Sequence, residues 1–227
     1  MHNKAINGII ITILAGFWLI PAPRFAIAAS PLEVIDEYTF AGEKNFLTGY
    51  ESLNPDGTVN MVVEIPAGTN EKWEVKRPSE NPHGYLKRDF KDGQPRVVEY
   101  FPYPFNYGMV PNTLLSEENG GDGDPLDVIL IGIAQPRGSV HKVKIIGIVN
   151  MLDRGEIDDK LIAVLPDGPY SAITAMEELN DNFPGITTII ETFFSNYKGP
   201  NKIEVKGFQG PEDAHALLKK CLVEPLQ

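Results

Sequence analysis

Asp122-Gly123-Asp124-Pro125-Leu126-Asp127 sets three carboxylates within six residues and runs directly into the apolar stretch 128–133, VILIGI. That stretch is short and rich in β-branched residues, so it reads as a buried strand. Like charges this close raise one another's energy, and a fold keeps them together when something cationic neutralises them. Carboxylate oxygens are hard ligands, matched to Mg²⁺, Mn²⁺ and Ca²⁺. The run therefore reads as a metal site at the mouth of a strand. The bland alternative is a solvated acidic turn, which Gly120, Gly121 and Gly123 would favour.

Working outward, residues 58–65 (TVNMVVEI) predict a strand ended by Pro66 and Gly68, and residues 72–76 alternate as a second strand does. Residues 96–100 predict a third, short strand. Residues 140–150 and 160–164 are further strands rich in Val and Ile. Turn signals stand at Asn81-Pro82 and Asp92-Gly93. Residues 101–112 are crowded with proline and aromatics and are expected to be irregular. Helices are expected at 171–179, 186–196 and 212–222, the last opened by Gly210-Pro211. Strands first and helices after predict an α+β domain: a small closed five-stranded, OB-like β-barrel flanked by two or three helices.

The composition bounds the partners. Apolar content of 42% and charged content of 22% fit a soluble globular domain. A net charge of −11 disfavours nucleic acid and anionic membranes, so an anionic substrate would need cations gathered locally. Residues 1–28 read as a cleavable export signal: Lys4, the apolar run 8–20, then Pro21, Pro23 and the small-x-small site Ala26-Ile27-Ala28. A membrane span needs about 20 residues, which leaves an uncleaved anchor as the weaker alternative. The expected location is the periplasm or outside the cell, with no stable membrane association after cleavage and residues 29–227 as one domain. Cys221 is the only cysteine, so no intrachain disulfide forms, and its neighbours Ala216 and Leu217 predict a buried thiol. The four histidines are scattered, with no pairing with one another or with Cys221, so a His/Cys zinc site has no support.

Three further clusters match the acidic run in kind: Glu64 with Lys72 and Glu74, then Asp153, Asp158 and Lys160, then Tyr197-Lys198. Lys72 and Glu74 lie two apart on a strand and share a face. Arg96, Tyr103 and Tyr107 add donors. Singly, each could be a solvated strand face, a turn or a helix cap. Together they fall at the ends of different strands, where a barrel gathers a site. Asp159 would point away from Asp158 on the same strand, and Glu117 and Glu118 read as a solvated face.

In this ordered set the sequence resembles the family I soluble inorganic pyrophosphatases. The pattern Asp-Gly-Asp-Pro-hydrophobic-Asp-hydrophobic stands intact, flanked in order by Glu64-Ile-Pro, Lys72-Trp-Glu74, Arg96, Tyr103-Pro-Phe-Asn-Tyr107-Gly, Asp153, Asp158, Lys160 and Tyr197-Lys198. Arg88 is the rival to Arg96. The resemblance implies hydrolysis of pyrophosphate to two phosphates by a metal-activated water. It implies Asp122, Asp127, Asp153, Asp158, Glu64 and Glu74 as ligands of Mg²⁺, roughly three to four ions per site, with Mn²⁺ or Zn²⁺ able to substitute. Asp124 would be the general base. Lys72 and Tyr107 would hold the electrophilic phosphate, and Arg96, Tyr197 and Lys198 the leaving one. Lys160 and Tyr103 would support the site, and a homo-oligomer, hexameric by resemblance, is implied. Two other readings stand beside it: a broader phosphoanhydride hydrolase, and a non-catalytic divalent-metal module. The run is not an EF-hand loop, since Asp127 stands where that loop needs glycine.

Overall fold

A computed structural model describes residues 32–223; the segment 1–28, read as an export signal, lies outside them. The strands in chain order are β1 (Glu33–Asp36), β2 (Thr39–Ala41), β3 (Val59–Ile65), β4 (Trp73–Glu74), β5 (Leu86–Arg88), β6 (Phe90–Lys91), β7 (Gln94–Pro95), β8 (Asn106–Met109), β9 (Asp127–Ile131), β10 (Val140–Asp153), β11 (Glu156–Ile157), β12 (Lys160–Val164) and β13 (Ile203–Gln209). The helices are α1 (Met176–Asn182), α2 (Ile186–Tyr197) and α3 (Pro211–Cys221).

Strand β10 closes the sheet on itself. Its first residues, Val140 to Val143, pair antiparallel with β3, and Lys144 to Val149 pair with β12. From β12 the ladder runs to β9, β8 and back to β3, giving a closed ring of five strands. The β12–β9 pair is parallel and the others are antiparallel. Closure removes the unpaired edges that a small sheet would otherwise expose. A register shift between Ile145 and Gly147 lets one long strand serve two partners. β13 lines up along the far half of β10. A second sheet, ordered β1-β2-β5-β4, packs on Val62 and Met109 through Trp73 and Leu86, with Phe46 of the loop after β2 in the same cluster. β6 and β7 form a hairpin turned by Asp92 and Gly93, both at positive φ.

Both faces of the ring are covered, which is why β9 and β12 read as unbroken apolar runs. Val128, Leu130, Leu161 and Ala163 face a cluster closed by Ala214, Leu218 and Cys221 of α3. Ile129, Ile131, Ile162 and Val164 face the other way, toward Ile190, Phe193 and Phe194 of α2. Each such side chain contributes roughly 1.5–3 kcal/mol by burial. α2 begins after Gly185, and its buried residues fall at the spacing of one helix face. α3 has Pro211 in its first turn, acidic residues beside it and Lys219 and Lys220 in its last, all matching the helix dipole. Cys221 is buried, and burial pushes its thiol up to about 11.

Four expectations are corrected, and one strand was missed. The strand predicted over 96–100 is absent; Val97 alone bridges to Glu71. The segment 101–112 is not wholly irregular, because β8 is a full member of the ring. Its four residues are buried on both sides, so no alternation marks it. Asn106 holds it in place: its carbonyl accepts from Ala67 and Gln135 N–H at 3.1 and 2.7 Å, while its amide donates to the Leu130 and Ile133 carbonyls. β13 was hidden as well, since Glu204 and Lys206 interrupt its apolar residues. The strand expected over 72–76 shrinks to β4, and the first helix starts later, at Met176.

Gly108 shows how tightly β8 lies against β3, for a Cβ there would stand 1.8 Å from the Val62 carbonyl oxygen. Backbone cannot yield as a flexible side chain can. Gly108→Ala should therefore lower the unfolding free energy by about 3 kcal/mol or more, read from urea denaturation; a change under about 0.5 kcal/mol would show that the two strands can part.

Candidate active site

The ring opens at one end into a cavity of about 180 Å³ lined by Glu64, Lys72, Glu74, Arg96, Tyr107, Asp122, Asp124, Asp127, Asp153, Asp158, Lys160, Tyr197 and Lys198. These residues come from the ends of separate elements. Asp127 opens β9 and Lys160 opens β12, side by side in the parallel pair. Asp153 ends β10, and Asp158 sits in the turn before β12. Glu64 and Tyr107 come from β3 and β8, Glu74 from β4. Tyr197 ends α2, and Lys198 is its C-cap.

Lys160 is the hub. Its ammonium, 1% exposed, donates to Asp127 at 2.6 Å and to Asp158 at 2.7 Å. Burial opposes its charge, but Asp127 and then Asp158 outweigh that and raise its pKa. The Tyr107 hydroxyl donates to the same Asp127 carboxylate at 2.5 Å. Burial works against the Asp127 carboxylate, yet Lys160 and Lys72 hold it below the usual range. Asp158 moves the other way, because burial dominates there. Lys72 and Lys160 also lie over the Tyr107 ring at 5.3 and 5.4 Å.

Around this hub the other charges pair across the cavity. Lys72 and Lys76 each reach Glu74 at 3.3 Å. Glu64 is buried, accepts from the Val75 N–H at 2.6 Å, and has its pKa raised by burial. Lys198 donates to one oxygen of Asp153 at 2.5 Å, while the other oxygen is buried without a hydrogen-bond partner. Arg96 donates to Asp89 at 2.8 Å. Tyr103 lies behind the wall, 1% exposed, its ring between Tyr107 and Tyr197 at 5.4 and 6.1 Å. Burial pushes the Tyr197 phenol up to about 12, so it stays a donor at neutral pH.

Asp122 and Asp124 belong to the loop before β9, where the Asp124 N–H donates to the Asp122 carboxylate at 2.9 Å. Gly123 between them holds φ +79° and passes close under Arg77, which explains the glycine. Burial, and then Asp122, push the Asp124 carboxyl up to about 6 against the pull of Arg77.

Every residue singled out in the sequence lines the cavity except Tyr103, which backs it. Arg88 does not: it pairs with Glu71 at 3.1 Å and stacks over Trp73. The Asp159 carboxylate is taken by the Asn150 amide and the Met151 N–H, at 2.8 and 2.9 Å. Glu117 is 79% exposed. Two cations escaped the sequence reading. Arg77 donates through its backbone N–H and its Nε to Asp124, both at 3.3 Å, and Lys76 flanks Glu74. Their position just past the Lys72-Trp73-Glu74 strand was the available signal, but only the return of the chain over Gly123 brings Arg77 to Asp124.

The sequence profile of the inorganic pyrophosphatase family matches residues 61–224. The chain is 39% identical over 164 residues to an inorganic pyrophosphatase of Dictyostelium discoideum, 66% of this chain and 57% of that protein. It is 36% identical over 167 residues to that of Helicobacter pylori strain 26695, 71% of this chain and 88% of that protein. The chain thus spans little more than half the length of some relatives. The crystal structure of type I inorganic pyrophosphatase from P falciparum is similar with a TM-score of 0.70 at 27% identity, covering 80% of this chain and 63% of that one. The inorganic pyrophosphatase structure from Helicobacter pylori matches with a TM-score of 0.61 at 32% identity, over 77% and 95% of the two chains. Fold, site and relatives agree: the chain belongs to the inorganic pyrophosphatase family.

Proposed function

We propose that the chain hydrolyses inorganic pyrophosphate to two phosphates with Mg²⁺ at the carboxylates. The observation that carries this reading is the division of one small cavity: carboxylates from four strands and the loops before β9 and β12 on one side, and Lys72, Arg96, Tyr107, Tyr197 and Lys198 converging on the same space. A metal-binding module has no use for those donors.

The donor set fits a hard divalent cation. It is all oxygen, and one buried Asp153 oxygen has no hydrogen-bond partner. Among the described residues no three carboxylates stand together as a ready cage. Lys160, Lys198 and Lys72 hold them instead. Mg²⁺ needs no such cage, since it is bound by one or two carboxylates, waters and substrate phosphates. Asp122, Asp127 and Asp158 would hold one ion, and Asp153, Glu64 and Glu74 would serve others. When bound, Mg²⁺ neutralises phosphate charge and makes a water a nucleophile near neutral pH.

The remaining work falls to the chain. Lys72 and the Tyr107 hydroxyl, which now donates to Asp127, would donate to the phosphate under attack. Asp124, its carboxyl pushed up to about 6 by burial, accepts the proton of the attacking water. Arg96, Tyr197 and Lys198 stabilise charge as it builds on the leaving phosphate. Lys160 keeps Asp127 and Asp158 from driving each other apart. The proposal extends to export by residues 1–28 to the periplasm, supported by their signal-like pattern. It extends also to a homo-oligomer, hexameric by resemblance; the exposed apolar side chains Phe101 and Ile189 support association.

Phosphate release from pyrophosphate by the full chain should be fast with Mg²⁺ and absent without it. Asp124→Asn should lower kcat by about a hundredfold or more while sparing metal affinity; unchanged turnover would remove Asp124 from the role of base. Lys198→Ala should weaken pyrophosphate affinity more than Mg²⁺ affinity, and the reverse result would mean that the leaving-phosphate side is misplaced. Asp124 also links activity to stability. A carboxyl raised from 3.8 to about 6 holds its proton more tightly folded than unfolded, so it costs stability as pH rises between those values. Metal-free Asp124→Asn should therefore be the more stable protein above pH 6, by about 1 kcal/mol once its 40% exposure is discounted. Thermal melts across pH should show that difference close below about pH 4.

A further inference from the structure

The cavity draws on two sheets, and their relative placement has to be fixed. The ring supplies Glu64, Tyr107, Asp127 and Lys160, whereas Glu74 lies in β4 of the second sheet and Lys72 just before it. β4 is two residues long and pairs with β5 of its own sheet. The Lys72 N–H donates to the Arg96 carbonyl and the Lys72 carbonyl accepts from the Asp89 N–H, at 3.1 and 3.0 Å, again outside the ring. Successive residues of an extended segment point to opposite sides. Lys72 and Glu74 enter the cavity, while Glu71 and Trp73 share the reverse side, where the Trp73 Nε1–H donates to Glu71 at 3.2 Å. Arg137 meets that reverse side. It stands in the turn between β9 and β10, pinned to the ring by the Gly138 N–H on the Val63 carbonyl and by the Val63 N–H on the Ser139 carbonyl, at 2.7 and 2.9 Å. Its Nε donates to the Glu64 carbonyl at 3.0 Å and its Nη1 to Glu71 at 3.1 Å. Its guanidinium also lies 4.9 Å from the centre of the Trp73 ring. Arg88 reaches Glu71 and Trp73 as well, but it belongs to β5 and ties β4 to its own sheet.

We propose that Arg137 is a positioning residue: it clamps the segment carrying Lys72 and Glu74 to the ring strand carrying Glu64, and so fixes Lys72 against the carboxylates across the cavity. This rests on the pyrophosphatase reading for the role of Lys72. Arg137 is not among the residues lining the cavity, and it acts through the Glu64 backbone and the reverse side of the Lys72 segment. On the cavity side the Glu64 carboxylate accepts from the Val75 N–H at 2.6 Å, so Glu64 and this segment are joined from front and rear. Arginine suits the rear position, because a flat fork with donors in fixed directions makes two contacts at once and stacks on an indole, where lysine offers one point of charge. Glu71 is the junction: one of its oxygens takes donors from Trp73, Arg88 and Arg137. A displacement of about 1 Å at a catalytic group costs roughly a hundredfold in rate. Loosening the clamp would move Lys72 but leave Arg96, Tyr197 and Lys198 in place, so the loss falls on turnover rather than on capture of the substrate.

The test compares the full chain with Arg137→Met, which keeps an apolar stem against Trp73 and loses the donors, and with Arg137→Lys, which keeps the charge but makes one contact instead of two. Thermal melts first set a temperature at which each variant is folded. With Mg²⁺, Arg137→Met should lower kcat by about tenfold or more and leave KM for pyrophosphate within about twofold. Arg137→Lys should fall between it and the parent, and carries the test alone if Arg137→Met does not fold. Amide hydrogen exchange of the metal-free chain reads the clamp without turnover. Exchange over residues 72–75 should quicken by about tenfold in Arg137→Met, while β9 and β12 keep the protection they have in the parent. If the parent fails to cleave pyrophosphate while exchange over 72–75 still depends on Arg137, the hydrolase reading falls and the clamp stands. If pyrophosphate is cleaved and the folded variants keep the parent's kcat, the positioning role is overturned. Exchange that quickens equally in β9, β12 and residues 72–75 would overturn it too, by making Arg137 a general support of the fold. So would Arg137→Lys matching the parent in kcat, which would reduce the clamp to a charge.

Discussion

One buried ammonium organises this molecule. Lys160 stands where the parallel strands β9 and β12 begin, and its amine spans the gap between Asp127 and Asp158. Two carboxylates at that separation from one cation would repel each other strongly if it were removed, and the first residues of both strands would have to splay. Tyr107, from the neighbouring strand β8, donates to the same Asp127. Three strands of the ring are therefore cross-linked at their mouth by polar contacts, while their bodies are joined by apolar packing on both faces.

That arrangement divides the structure by purpose. The lower parts of β9 and β12 are fully buried and nonpolar, and they can be rigid because nothing happens there. The first residues carry charge that the fold must hold out of water's reach, at a cost in desolvation that only close pairing offsets. Glu64 shows the cost most plainly, since burial raises its pKa despite the nearby Lys72. In such a site a divalent cation would neutralise the carboxylates and an anionic substrate the lysines. The pairs seen now, Lys198 with Asp153 and Lys72 with Glu74, are the charges neutralising one another.

The same logic explains the electrostatic layout beyond the mouth. An acidic chain repels anions at long range, so its cations must be concentrated where an anion is to stay. In this chain Lys72, Arg96 and Lys198 are concentrated around the cavity. Arg77 has a different place, on the Asp124 side, where it holds the orientation of a carboxylate that has no lysine of its own.

Much of this was legible in the sequence. Local patterns declare themselves when the physical cause is local: the apolar runs of β3, β9 and β12, the proline that opens α3, and the carboxylate spacing of the Asp122 run. The polar residues of the site were legible for a related reason, since charges at strand ends have no bland role in common. What the sequence hid depends on contacts between distant segments. β8 has no alternation because both its faces are covered, and Gly108 and Asn106 make sense only against β3 and the 133–135 turn. β13 is a strand because β10 offers it an edge. Arg77 meets Asp124, and Arg154 joins Lys202, across long stretches of chain. The sequence by itself determined which residues carry charge and which segments must be buried. Tertiary structure alone decided which charges face one another, because pairing across a closed ring is set by the register of its strands and not by neighbours along the chain.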